Sequence, residues 1–189
     1  MRSVSYLDDL IAAYGRSVAL PWPRSLAPGQ RIWMAVYPPE QERRLRLHVP
    51  AFEEEASKHG HSWAQIDLTD SFETWTADHP YRAEYFKAPE LFASALPGFF
   101  EHLIESVGAQ LAAHDSPDGV VALLGVGSLF GLGEAVKVSA LLAAVSDAIA
   151  GRLLVFFPGD VENNNFRLLD GRDGWNYMAI VIKPDGGRR

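Results

Sequence analysis

Cysteine is missing from all 189 residues, which removes disulfides, thiolate zinc sites, cysteine-ligated iron–sulfur clusters and a cysteine nucleophile together. An excess of positive charge is missing too. The 17 Lys and Arg stand against 24 Asp and Glu, for a formal net charge of −7, whereas binding to a nucleic-acid backbone needs a basic face that neutralises phosphates. Direct DNA binding is therefore not expected. Apolar runs such as residues 120–124 and 153–157 fall far short of the ~20 residues that a membrane-spanning helix requires. Near the N-terminus, Asp8 and Asp9 interrupt the apolar stretch and no small-residue cleavage site follows, unlike a secretory signal. The expectation is a cytoplasmic protein without membrane association.

What is present is a core: 48% of the residues are hydrophobic, enough for one domain of ordinary size. Residues 1–30 read as an N-terminal helix and proline-rich connector packing on that core. Ser3 or Ser5 supplies the cap, Tyr6, Leu7, Leu10, Ile11 and Tyr14 recur at helical spacing, and Gly15 is the expected stop. Pro21, Pro23, Pro28 and Gly29 stiffen the connector. Residues 31–183 follow as an α/β domain and 184–189 as a flexible tail.

Within the domain, a strand over 31–37 ends at Pro38-Pro39, and a charged, helical 40–60 carries Pro50 as a kink or as the first turn of a shorter helix. Gly60 stops it, a second strand occupies 62–68, and 68–71 forms a capped strand-to-helix turn. The aromatic stretch 72–97, broken by Pro80 and Pro89, predicts short helices over one sheet edge. Phe100, Leu103, Ile104, Val107 and Leu111 form the stripe of a crossover helix over 99–111. Residues 120–124 form a strand buried on both faces, 136–149 a helix, 153–157 another buried strand and 176–183 a last one. The fold class is a single α/β domain with a mostly parallel sheet and helices on both faces. Its Rossmann-like or P-loop-like core lacks the phosphate-binding motif, and function belongs on loops at the carboxyl ends of the strands.

No complete catalytic set emerges there. Gly125-Val126-Gly127-Ser128 follows a strand, but no Gly-Lys-Ser/Thr opens the next helix. Phe130 stands where the dinucleotide fingerprint needs glycine, and Gly127 where a nucleophile elbow needs serine. Gly125, Gly127, Pro158 and Gly159 are therefore assigned as structural loop residues. A degenerate nucleotide-binding or hydrolytic domain using 125–133 is the second reading. His59 and His61 flank a helix-ending glycine and read as exposed turn residues, so neither metal nor cofactor is expected. Trp33 and Trp63 read as core, and Trp22 as packing for the N-terminal helix or a partner contact. A dense group of polar residues remains: Asp160, Asn165, Arg167, Asp170, Arg172, Asp173, Trp175 and Asn176. It is either a solvated hairpin or a recognition surface, since Arg and Trp are frequent interface anchors.

Several stretches resemble one family. They are Gly125-Val126-Gly127-Ser128-Leu129-Phe130, Leu153-Leu154-Val155-Phe156-Phe157-Pro158-Gly159, Asn164-Asn165-Phe166-Arg167-Leu168-Leu169-Asp170 and Gly174-Trp175-Asn176-Tyr177. Earlier come Leu20-Pro21-Trp22, Val36-Tyr37 with Glu42-Arg43-Arg44-Leu45, and Ile66-Asp67-Leu68-Thr69-Asp70. Together they resemble the BrxB family of BREX bacteriophage-defence systems over nearly the whole chain; Pro38 departs from the pattern, which has an acidic residue before Pro39. The resemblance implies a small, non-catalytic core or adaptor component of a defence locus that tells self from phage DNA by methylation. It also implies the alkaline-phosphatase-like PglZ protein, among other BREX proteins, as partner.

Overall fold

The structure, a computed structural model, describes residues 5–162, 165–169, 171–176 (backbone path alone for 172–176) and 179–184. Helix α1, Tyr6–Ala19, starts at a capping box in which Ser5 Oγ accepts from the Asp8 N–H and the Asp8 carboxylate accepts from the Ser5 N–H. It runs past Gly15, so glycine is not its stop. Gly15 lies where a Cβ would sit 2.8 Å from a Glu55 carboxylate oxygen, and close approach of a second helix favours glycine despite its ~1 kcal/mol helix penalty.

Strand β1, Ile32–Tyr37, is buried at every position. Helix α2, Glu42–Lys58, continues through Pro50, which lies on an exposed position of the helix. The helix ends in a Schellman motif: Gly60, at φ +80°, donates to Ser57 O, and His61 donates to Ala56 O, each at 3.0 Å.

Strand β2, Ser62–Asp67, is followed by the short helices α3, Ser71–Asp78, and α4, Arg82–Lys87. The turn before α3 lacks the expected cap at Asp70; Ser71 Oγ donates instead to Leu68 O at 2.7 Å. Helix α5, Phe92–Ala113, begins earlier than its apolar stripe suggests and carries Pro97 inside. Strand β3, Gly119–Leu124, is wholly buried. Helix α6, Val138–Val145, is shorter than the predicted 136–149, because residues 146–148 tighten into a 3-10 turn.

Strand β4, Arg152–Glu162, does not stop at Phe157. Its second half leaves the central sheet at Pro158-Gly159 and pairs antiparallel with β5, Asn165–Leu168, which pairs with β6, Gly171–Asn176. The last strand, β7, Ile180–Ile182, is separate from β6, so the strand predicted over 176–183 is two elements.

The central sheet has the order β2-β3-β4-β1-β7, and its pairings are all parallel. The core forms two layers, one on each face. Phe99, Leu103, Val107 and Leu111 of α5 and Leu141 and Leu142 of α6 cover Met34, Leu123, Val155 and Phe157 on one face. On the other, Leu10 and Tyr14 of α1 and Leu45 and Phe52 of α2 cover Trp33, Ala122, Leu154 and Phe156. Each large apolar side chain so buried contributes ~1.5–3 kcal/mol. Among the described residues no helix is long and apolar enough to cross a membrane.

Candidate functional site

The carboxyl ends of β1, β2 and β3 meet around one guanidinium. Arg46, one turn into α2, donates to Glu42 Oε1 at 2.9 Å, Asp67 Oδ2 at 2.8 Å and Thr69 Oγ1 at 2.7 Å. Tyr37, the last residue of β1, donates its hydroxyl to Glu42. The other Asp67 oxygen accepts from the Thr69 N–H at 3.0 Å and from its hydroxyl at 2.5 Å. Burial opposes charge on Asp67, but Arg46 and the two Thr69 donors outweigh it and hold the carboxyl below its usual range. Burial, then the bond to Glu42 and its charge, push the Tyr37 hydroxyl well up. Tyr37, Glu42, Asp67 and Thr69 come from stretches quoted for the resemblance and Arg46 lies just beyond one of them, but each is an ordinary polar residue, so spacing alone does not join them.

The glycine loop closes this network. Gly125 has φ +74°, and a Cβ there would lie 2.6 Å from the Thr69 backbone nitrogen and 2.7 Å from Asp67 Oδ1. The Ser128 hydroxyl, 3.0 Å from Leu68 O and 2.8 Å from Gly125 O, is directed at backbone carbonyls. Gly127 faces Pro158, which lies beside Tyr37 in the sheet. A side chain at Gly159 would collide with the Arg167 carbonyl, where β5 crosses β4. After β1, Pro38 and Pro39 offer no N–H to an incoming phosphate, and Glu40 and Glu42 follow.

The predicted recognition residues that lie among the described residues occupy the antiparallel extension. Asp160 is paired with Arg167 across β4 and β5, and both are exposed. Asn165 is also exposed and opposes Glu162 and Asn176, while Arg167 opposes Arg172. Phe166 and Leu168 alternate with them into the core. Asp170 lies outside the described residues, as do the side chains of Arg172, Asp173, Trp175 and Asn176, whose backbone forms β6. His59 and His61 turn to separate partners: His59 Nδ1 lies 3.0 Å from Glu55 O, and His61 Nδ1 lies 3.0 Å from Asp118 O. Among the described residues no group of three or more His, Asp and Glu is placed to hold a metal ion.

A further surface lies on the aromatic layer formed by 72–97. Phe72, Glu73, Thr76 and Ala77 of α3, Arg82 and Phe86 of α4 and Phe92 of α5 line an open groove of about 690 Å³. Phe86 is 72% exposed and the neighbouring Tyr81 62%. Beneath it Phe72, Trp75, Phe92 and Phe99 pack ring against ring, with Phe72 to Phe99 centroids 5.0 Å apart. The aromatic density of 72–97 was the available signal; which rings face outward depends on the short helices, which periodicity does not resolve. No protein-family model, curated protein or solved structure matches the chain.

Proposed function

We propose that the chain is a non-catalytic adaptor, a core component of a BREX phage-defence complex that acts through protein–protein contact with other BREX proteins, PglZ foremost. The observation that carries this reading is the apolar groove of α3, α4 and α5, with Phe86 standing 72% exposed at its wall. An aromatic side chain in water beside an apolar trough is what interface anchors look like before they are covered. Glu73 and Arg82 line the groove, and the segment 70–90 that forms it carries Asp70, Glu73, Asp78, Glu84 and Glu90 against Arg82 and Lys87, so an apolar partner segment with basic flanks fits best. The exposed Asp160, Asn165 and Arg167 offer a second, polar contact area. At the carboxyl edge, by contrast, Glu42, Arg46, Asp67 and Thr69 are engaged with one another.

The test is purification of the tagged protein from its native locus. PglZ is expected to co-purify with the wild type and to be lost with Phe86→Asp in a protein that keeps its melting temperature. Failure to recover any product of the locus with the wild type would contradict the proposal.

A further inference from the structure

The amino-terminal end of the sheet holds a buried cation with no anion. Arg152, the first residue of β4, is 4% exposed. Its Nη1 donates to the adjacent Gly151 carbonyl at 3.0 Å, its Nε has no partner, and among the described residues no carboxylate pairs with it. Its guanidinium carbon lies 4.7 Å from the Trp22 ring centroid and 5.8 Å from that of Trp33. Such cation–π contact holds the charge face-on and leaves the edge donors unanswered.

The surroundings repeat this imbalance. The indole Nε1 atoms of Trp22, Trp33 and Trp63 are buried and also lack acceptors. Register places Trp63, Val120 and Arg152 in one row across β2, β3 and β4, and Trp22, Trp33 and Trp63 belong to the same core layer. An indole and a guanidinium can only donate, so this end of the sheet gathers donors that cannot satisfy one another. Burial of an unpaired donor costs ~1–3 kcal/mol. Two further features point the same way. Arg31, whose Nη1 donates to Ile149 O at 2.7 Å, is close enough to add to the positive potential. The nearby carboxylates are otherwise engaged, Asp118 with Arg24 at 3.3 Å and Glu55 with Lys58 at 2.8 Å. Trp22 and Trp63 are half-buried, and Trp22 belongs to a connector with mostly exposed neighbours, where its ring also meets Trp33 at 5.5 Å and stacks on His61 at 3.8 Å.

We infer that the cluster of Arg152, Trp22, Trp33 and Trp63 is a binding site for a small oxyanion, a phosphate or a carboxylate, with Trp22 as its lid. Oxyanions offer mainly acceptors and match a guanidinium with unpaired donors in a layer that also holds unpaired indole N–H groups. This site is separate from the proposed docking groove.

The test is titration of the purified full chain with sodium phosphate, sodium acetate or sodium chloride at constant ionic strength, read by tryptophan emission and by melting temperature. Phosphate or acetate is expected to give a saturable emission change and a rise of about 5 °C at saturation, with chloride giving neither; whichever of the two acts at lower concentration identifies the source. Arg152→Met is expected to abolish the response, and Trp22→Phe, which keeps the ring and removes one donor, to weaken it about five-fold. If Arg152→Met does not fold, Trp22→Phe decides alone. No saturable response to either oxyanion in the wild type, or a Trp22→Phe response equal to the wild type, overturns the inference.

Discussion

Asp67 and Phe72 are close neighbours in the chain and belong to opposite kinds of surface. Around Asp67, polar groups from β1, α2, β2 and the loop after β3 spend their hydrogen bonds on one another, and Gly125 is packed so tightly that no side chain fits. Around Phe72, short helices broken by Pro80 and Pro89 leave a groove open and Phe86 in solvent. The first region is where open parallel sheets ordinarily bind ligands; here Glu42, Arg46, Asp67 and Thr69 tie α2 to the end of β2. The second packs on the core through Phe72 and Trp75 against Phe99 and, above them, offers the larger apolar opening. Fold-level expectation points to the carboxyl edge, whereas the docking role proposed for the chain rests on the groove.

The comparison can be broken most severely at Gly125. Gly125→Val introduces a β-branched residue at φ +74° against the Thr69 backbone, and a loss of about 3 kcal/mol or more is expected in urea unfolding. A variant as stable as wild type would mean that the edge is not packed as described. Asp67→Asn comes next. It removes the charge that Arg46 and Thr69 stabilise, with an expected loss of about 1 kcal/mol, since the pair is partly exposed and screened.

The pH dependence of Asp67 has a definite sign. Its folded carboxyl titrates below the ~3.9 of an unfolded aspartate. Its contribution is therefore in place above that unfolded value and is lost as pH falls through the folded one. Stability measured from pH 6 down to pH 2 is expected to fall less steeply in Asp67→Asn than in wild type; parallel curves would contradict the assignment. The smallest effect on folding is expected at Phe86. Phe86→Asp changes an exposed side chain and is expected to shift unfolding by less than about 0.5 kcal/mol, which thermal unfolding checks.

How much of this was legible in the sequence follows from the range of the interactions. The buried strands announced themselves as apolar runs, and both the Ser5 cap and the Gly60 stop are local chemistry that sits where expected. Gly15 misled because its usual meaning as a breaker was overridden by tertiary context, the close approach of Glu55 from α2, while of the two readings of Pro50 the continuous helix is the one found. Pro158-Gly159 was read as an ending, yet β4 keeps extended geometry through it and exchanges partners. Arg46 meeting Asp67, and Arg152 meeting Trp22, are contacts between residues distant in sequence that no spacing rule reaches. The charged stretch 160–176 was visible as composition; the register that sets Asp160 against Arg167 was not.

The central claim is that the groove serves partners while the carboxyl edge serves the fold. It is tested most directly by measuring, side by side, the melting temperature and the amount of PglZ recovered with wild type, Phe86→Asp and Asp67→Asn. The account predicts that Phe86→Asp melts with the wild type and recovers no PglZ, while Asp67→Asn melts lower and recovers wild-type amounts below its transition. Full recovery with Phe86→Asp, together with loss in folded Asp67→Asn, would contradict it.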